Sequence, residues 1–388
     1  MDERVAVVGA GAVGTTAAHD LAARGCEVTL YEAETAASGA SGRAAGICYD
    51  AFAEDVDAAV ADRSLARFRA LDADPSFDWS FTPCPYVWVA REGDDRRAAA
   101  IREQVPRMQA HDRRVELLDG DAFAAEFPAL RSDVAVAAVA REAGYADPET
   151  YTLAMADRAV AAGATLHEDA PVALRVGEGT DDDPRVVVAG EPTSFDTVVI
   201  AAGAHTARLL EDAGLPVPVK PYRVQAAVTA PTRLAERLPM LYDATDGYYC
   251  RPRGAGLLVG DGTEPVAQDP DDWKRAADDW FLADCADHLR AAVGEAAVVA
   301  DEPTVDRAWA GLCTATPDGD PLLGERASDV VVAAGWQGHG FMRAPALGER
   351  LARGVSEGAW LDPFDPARFD GDESFDIVEG MVVEDSGG

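Results

Sequence analysis

Apolar and polar positions fall into two regimes along this chain. Short unbroken apolar runs occur at Val5 to Val8, Phe195 to Ala202 and Asp329 to Gly335, the pattern of strands buried on both faces. Longer stretches carry apolar residues on one side only. These predict helices over Thr15 to Arg24, Val56 to Leu71, Arg96 to Gln109, Asp121 to Phe127, Pro148 to Ala162, Trp273 to Val293, and Gly340 to about Gly354. Strand-rich blocks lie between them. Trp79 to Ala90, Val219 to Thr229, Met240 to Gly260 and Val305 to Leu323 read as strands, as do Ala164 to His167 and Ala170 to Val176. Asp181 to Asp183 predict a solvated hairpin tip.

The chain is organised around Val5 to Glu32. A strand is followed by Gly9, Gly11 and Gly14 in a G-x-G-x-x-G pattern, then a helix, then a strand from Cys26 to Tyr31. Gly9 permits the tight turn, Gly11 lets backbone approach a pyrophosphate, and Gly14 lets helix and strand pack closely. The helix N-terminus aims free N–H groups and partial positive charge at the phosphates. Glu32 lies 18 residues after Gly14, at a strand end, where a carboxylate takes the hydroxyls of an adenosine ribose. Each glycine alone is weak evidence. The whole unit in register predicts a Rossmann-like α/β domain for an adenine dinucleotide.

Length changes the picture next. The 388 residues are enough for two domains. The stretch from about 80 to 140 interrupts the nucleotide pattern and reads as inserted structure. A net charge of −35 with only two lysines, Lys220 and Lys274, excludes nucleic acid and anionic membrane as partners. The same imbalance reads as adaptation to high salt, where screening removes self-repulsion. Six scattered cysteines give no metal or disulfide pattern and suit a reducing compartment. With no leader pattern before Val5 and no long apolar run, a cytoplasmic protein without a membrane span is expected. Ala36 to Gly46 is rich in small residues around Arg43 and reads as a backbone-lined cradle for an extended ligand. From about Asp365 the chain is acid-rich and reads as a tail or a loosely docked segment.

Six blocks occur in order: the opening βαβ unit, SGASGRAAG, GYADPETYTLAMADRAVAAGA, TVVIAAGAHT, RAWAGLCTATPDGDPLLG and AAGWQGHGFMRAPALGERLA. Together they resemble the FAD-dependent oxidoreductases that include D-amino-acid, glycine and sarcosine oxidases and dehydrogenases. The resemblance implies an FAD domain in three pieces, 1–79, 141–218 and 303–364. A mixed antiparallel-sheet substrate domain, 80–140 and 219–302, is interleaved with it, and 365–388 is left as an acidic tail.

It also implies roles. Gly9, Ala10, Gly11, Ala12, Val13 and Gly14 would hold the pyrophosphate, and Tyr31, Glu32 and Ala33 the adenosine. Ser38, Ala40, Ser41, Arg43, Ala44, Ala45 and Gly46 would run past the phosphates and flavin edge. Val172 would contact adenine, and Ala202 and Gly203 would pass the cofactor. Gly338, His339, Gly340, Phe341 and Met342 would form the turn beneath the flavin's pyrimidine end, where a helix N-terminus suits the negative charge of the reduced ring. His339 is a candidate base, although the resemblance favours a structural or flavin-contacting role.

Two departures from the family pattern matter. Gly311 stands where some sarcosine oxidases carry the cysteine that attaches FAD, so non-covalent FAD is expected. Cys313 stands where glycine oxidases carry the arginine that holds a substrate carboxylate. Arg251, beside Tyr248 and Tyr249, is the candidate replacement, with Arg343 second, and a surface arginine on a hairpin is the alternative for Arg251. Leu258 matches a lysine that aids reaction with oxygen, which favours an acceptor other than oxygen.

The expected activity is oxidation of the C–N bond of glycine, sarcosine, or a D- or cyclic amino acid, by hydride transfer to flavin N5. Tyr249, Arg251 and His339 are the catalytic candidates, and oxygen or a redox partner is the electron acceptor. Two rivals stay open: a hydroxy-acid or glycerol-phosphate dehydrogenase of the same fold, and a flavin subunit without turnover. An enzyme using NAD alone is a lesser alternative.

Overall fold

The computed structural model describes residues 3–176, 184–293 and 304–378. The hairpin tip expected at Asp181 to Asp183 lies outside them, as do residues 379–388. The first third of the chain forms β1 (Arg4–Val8), α1 (Ala12–Ala22), β2 (Glu27–Tyr31), β3 (Ile47–Cys48), α2 (Asp55–Asp72), β4 (Phe81–Pro83), β5 (Tyr86–Arg91), α3 (Asp95–Ala110), β6 (Val115–Leu118), α4 (Gly120–Glu126) and β7 (Val134–Ala140). The middle forms β8 (Gly144–Ala146), α5 (Pro148–Ala161), β9 (Thr165–His167), β10 (Val172–Arg175), β11 (Arg185–Val188), β12 (Glu191–Ser194), β13 (Thr197–Ile200) and α6 (Thr206–Asp212). The rest forms β14 (Lys220–Thr229), β15 (Met240–Asp243), β16 (Tyr248–Arg253), β17 (Gly256–Ala267), α7 (Asp279–Ala292), β18 (Val305–Ala315), β19 (Leu322–Ala327), β20 (Val330–Ala334) and α8 (Gly340–Glu357).

Two sheets carry the architecture. One has the order β19-β20-β13-β1-β2-β9 and is parallel except for β19. Its central strands are the three apolar runs of the sequence. β1, β13 and β20 are buried along almost their whole length, as strands covered on both faces must be. The other sheet has the order β18-β14-β17-β16-β15-β5-β7-β6 and is antiparallel except where β15 runs beside β5. β18 pairs with β14 along its length. Residues 305–315 therefore go with the second sheet, although the sequence reading grouped 303–364 with the nucleotide sheet. Two small sheets, β10-β11-β12 and β3-β8-β4, complete the pairing.

Three helix boundaries differ from the sequence reading by three residues or more. α1 starts at Ala12 rather than Thr15, because Gly14 lies inside its first turn. α7 starts at Asp279 rather than Trp273. The cause is Arg223, whose guanidinium donates to the carbonyl oxygens of Lys274 (2.8 Å) and Ala276 (2.5 Å) and to Asp278 (2.6 Å). Those bonds hold residues 274–278 extended across the second sheet. α8 runs on to Glu357 and ends at Gly358, which takes φ 67° as a left-handed cap. The acid-rich C-terminal segment is docked as far as Val378, with Phe364 and Ile377 buried. Among the described residues, no helix is long and apolar enough to cross a membrane.

Candidate functional site

A cavity of about 680 Å³ runs between the two sheets, from the β1–α1 turn to the start of α8. At its first end the glycines divide their work. Gly9 has φ 106°, and a Cβ there would come within 2.4 Å of the Ala201 carbonyl oxygen. A Cβ on Gly14 would come within 2.0 Å of Gly9 O. Gly11 instead faces the cavity, with only Ser41 Oγ near the place of its Cβ. Gly14 and Ala10 lie behind the turn, and neither lines the cavity. α1 has no acid in its first turn and no side-chain cap from Gly11. Ser41 Oγ reaches across to accept from Ala12 N at 2.9 Å. Ala12 N is thus engaged by Ser41, and the N–H groups that follow it in the first turn are left as donors suited to phosphate.

Glu32 is fixed at the end of β2. Its carboxylate accepts from Ala10 N (2.8 Å) and Glu34 N (3.1 Å) and faces the cavity. Residues 169–172 run alongside, through Asp169 N to Glu34 O and Ala170 N to Glu32 O, which brings Pro171 and Val172 to the same wall. Tyr31, Ala33, Ala202 and Gly203 join it.

The small-residue loop forms the middle of the cavity. Ser38, Ala40, Ser41, Arg43, Ala44, Ala45 and Gly46 all line it, with Ala12 and Val13 opposite. Gly46 takes φ 71°, and its missing Cβ would strike Ala146 O at 2.0 Å. Arg43 folds back to donate to Gly39 O (2.8 Å) and to Ser38 O, and its own carbonyl accepts from Trp309 Nε1 (2.9 Å). Burial, with Arg275 nearby, pulls the Arg43 guanidinium below its usual basicity.

The far end is roofed by the second sheet. Register places Trp309, Ala226, Gly260, Tyr249, Tyr242 and Trp88 in one row across six strands, hence on one face. A Cβ on Gly260 would come within 1.9 Å of Tyr249 Cζ, so the phenol ring lies flat over that glycine. Tyr49 packs against Tyr86 and Trp88 at ring distances of 5.2 and 5.3 Å. Its hydroxyl is 3.1 Å from His339 Nε2. Burial, helped by Arg343, pulls the His339 pKa down to about 3, and burial pushes the Tyr49 phenol up. Both stay neutral across the ordinary pH range. Gly338, at φ 78°, and Gly340, Phe341 and Met342 complete this end, and the first turn of α8 holds no acid.

The three catalytic candidates are placed differently. Tyr249 and His339 line the cavity, whereas Arg251 does not. Arg251 is buried, donates from Nε to Ala45 O (2.5 Å) and from Nη1 to Pro252 O (2.7 Å), and lies over the Tyr145 ring. It supports the cradle loop from behind. Arg343 does not line the cavity either. Its Nη1 is 2.7 Å from Asp57 Oδ1, and its guanidinium stacks on Phe52. Tyr248 points to the opposite face, against His288. Sequence reasoning missed Tyr49, Tyr222, Tyr242, Trp309, Trp336 and Gln337, all of which line the cavity. Alternation of Trp309, Gly311 and Cys313 within RAWAGLC was the one local signal available.

Known proteins match this arrangement. A 4-methylaminobutanoate oxidase (formaldehyde-forming) of Paenarthrobacter nicotinovorans is 29% identical over 379 residues, which is 92% of this chain and 44% of that protein. The chain thus spans less than half of that relative. A monomeric sarcosine oxidase of Streptomyces avermitilis is 27% identical over 94% of this chain and 97% of its own. Among solved structures, L-proline dehydrogenase from P. horikoshii superposes with a TM-score of 0.85 at 27% identity, over 95% of this chain and 98% of that one. Residues 4–353 match the model of the FAD dependent oxidoreductase family, and the chain belongs to that family.

Proposed function

We propose that this protein oxidises the C–N bond of a small amine or amino acid, with FAD held non-covalently between the two sheets. The residues present suit the group. Two helix starts without acids, those of α1 and α8, point into opposite ends of one cavity. Glu32 and the side-chain-free surface of Gly11 lie at the first end. Gly11, Ser41 and the N–H groups after Ala12 in the first turn of α1 would hold the phosphates and Glu32 the ribose. The first N–H groups of α8 would face the pyrimidine edge. When bound there, FAD supplies the acceptor for the hydride that leaves the substrate's α-carbon; the substrate becomes an imine, which water hydrolyses.

The protein's own contribution is binding, orientation and exclusion of water. The observation that carries the reading is the aromatic roof. Tyr49, Tyr242 and Tyr249 face the cavity, and Tyr49 packs against the rings of Tyr86 and Trp88, giving the substrate an aromatic wall. His339 and Tyr49 cannot trade a proton near neutral pH. The amine therefore enters as its free base, and the protein needs no general base of its own. The relatives named above act on methylated amines or proline, which supports secondary amines as the first substrates to test.

Oxygen is not the favoured acceptor. Leu258 is fully buried, and no lysine lines the cavity among the described residues. The net charge of −35 supports a salt-rich cytoplasm as the working environment.

The test is anaerobic bleaching of the purified yellow protein by sarcosine, proline, glycine and D-alanine, with lactate and glycerol 3-phosphate alongside. Bleaching by an amine upholds the proposal. Bleaching by a hydroxy compound alone, or by none, overturns it. Readmitting oxygen then shows whether peroxide forms.

A further inference from the structure

The acid-rich C-terminal segment does more than trail from the fold. Arg326 Nη2 donates to Asp370 O at 2.8 Å. Gly371 takes φ 110° against Pro216, where a Cβ would come within 2.4 Å of the carbonyl oxygen. Glu373 turns back to accept from Asp370 N (2.6 Å) and Gly371 N (2.9 Å). Lys220, one of two lysines in the whole chain, donates to Phe375 O and sits 4.1 Å from the centre of its ring. Ile377 is only 8% exposed and clusters with Tyr222 and Ala315, against Val224, Cys313 and Phe375. Gln337 Nε2 donates to Val378 O at 3.3 Å. An acid-rich peptide is repelled by a molecule this negative, so its docking rests on these contacts.

The contacts converge on one wall. Tyr222, Val224, Cys313 and Gln337 touch the segment and also line the cavity. Tyr222 and Cys313 are register partners, and a Cβ on Gly338 would lie 4.0 Å from Cys313 Sγ and from Tyr222 Oη. The segment thus backs the cavity at its Gly338 end. Gln337 is held at φ 46°, a left-handed conformation that favours glycine. Because its Nε2 is committed to Val378, its Oε1 is buried with no partner among the described residues.

We propose that residues 369–378 are a positioning strap that closes this wall and limits the bulk of the substituent admitted beside the reacting carbon. Ile377 and Phe375 hold Tyr222 and Cys313 inward, and Val378 O aims the Gln337 amide so that an acceptor is left for a ligand N–H. The size limit rests on the amine reading above; the shielding of the wall does not.

The test uses the full-length protein loaded with FAD, with Ile377→Ala and Phe375→Ala as variants. Asp376→Ser is the control, since that side chain is exposed and takes no part in the contacts above. Alkylation of Cys313 by iodoacetamide, followed by peptide mass spectrometry, is expected to speed up at least about tenfold in the two variants and not in the control. It needs no substrate, so it stands even if no amine bleaches the flavin. The kcat/KM ratio for N-ethylglycine over sarcosine is expected to rise about tenfold in the same variants. Unchanged Cys313 labelling overturns the strap. Faster labelling with an unchanged ratio overturns its role in selectivity.

Discussion

The Tyr49 hydroxyl and His339 Nε2 lie 3.1 Å apart, both buried, and neither titrates near neutral pH. The His339 pKa is lowered in the folded chain to about 3 from the ordinary 6.5. Between those values the unfolded chain binds a proton that the folded chain does not. His339 thus contributes stability that is complete above pH 6.5 and falls away as pH drops toward 3. Urea melts at pH 5, 6 and 7 should show a steeper loss for wild type than for His339→Asn, by at most about 1.4 kcal/mol per pH unit. The pH profile of kcat/KM should follow the substrate's amine, without a histidine-like break near 6.5.

Glu32 holds two backbone N–H groups and faces the cavity. Glu32→Gln removes the charge that strengthens any ribose hydrogen bond. Hydrogen bonds to charged groups are worth about 1.5–3 kcal/mol, so FAD affinity should fall by roughly 10- to 100-fold. Titration of apoprotein followed by flavin fluorescence measures it. Gly14→Val should prevent loading altogether, since even a Cβ meets Gly9 O at 2.0 Å.

Gly260→Ala should act through Tyr249. The new methyl group would displace the phenol ring at an overpacking cost of about 1–3 kcal/mol in stability, and the displaced ring should raise KM for the amine. In Tyr249→Ala the same glycine substitution should cost little more, because the clash is gone. Steady-state kinetics on the two single variants and the double variant give the coupling directly.

Arg251→Ala should lower stability by about 1.5–3 kcal/mol, since carbonyls of the cradle loop and of Pro252 lose a charged donor. It should not change the preference between a carboxylated amine and its decarboxylated analogue. A selective loss on the carboxylated substrate would place Arg251 back at the substrate.

Acid release offers a check on attachment. Gly311 presents no thiol, and its missing Cβ faces Arg43 at 3.4 Å. Trichloroacetic acid should therefore leave all the yellow colour in the supernatant.

The opening end of this site was legible because most of its physics is local. The turn, its helix and the strand-end acid lie within Val5 to Glu32, and Gly14 answers a steric demand made by Gly9 itself, although the carbonyl that excludes a Cβ at Gly9 is that of the distant Ala201. The substrate half is set by register, which no local pattern carries. Tyr249 and Arg251 sit two apart on β16 and share a face. Tyr249 falls opposite Gly260 in the row that roofs the cavity, while Arg251 falls one row along, opposite Leu258 and beyond the cavity's edge. Alternation along β16 puts the two on one face and cannot supply the row. Tyr49 and Phe52 are two aromatics after the cradle loop with no local pattern, and it is Tyr86, Trp88 and His339, all remote in sequence, that give Tyr49 a role. The start of α7 was misplaced because Arg223, some fifty residues earlier, claims the carbonyls that would have begun the helix.

The strand order β20-β13-β1-β2 has a consequence for biosynthesis. β1 pairs early with β2 but must wait for β13 near residue 200 to cover its other edge, and β13 for β20 near residue 330. The turn at Gly338 emerges later still. A nascent chain halted before residue 197 exposes the apolar edge of β1, and one halted before Gly338 offers half a cradle. The cavity therefore closes only after residues 338–342 have been made, and until β13 emerges chaperones have the open edge of β1 to hold.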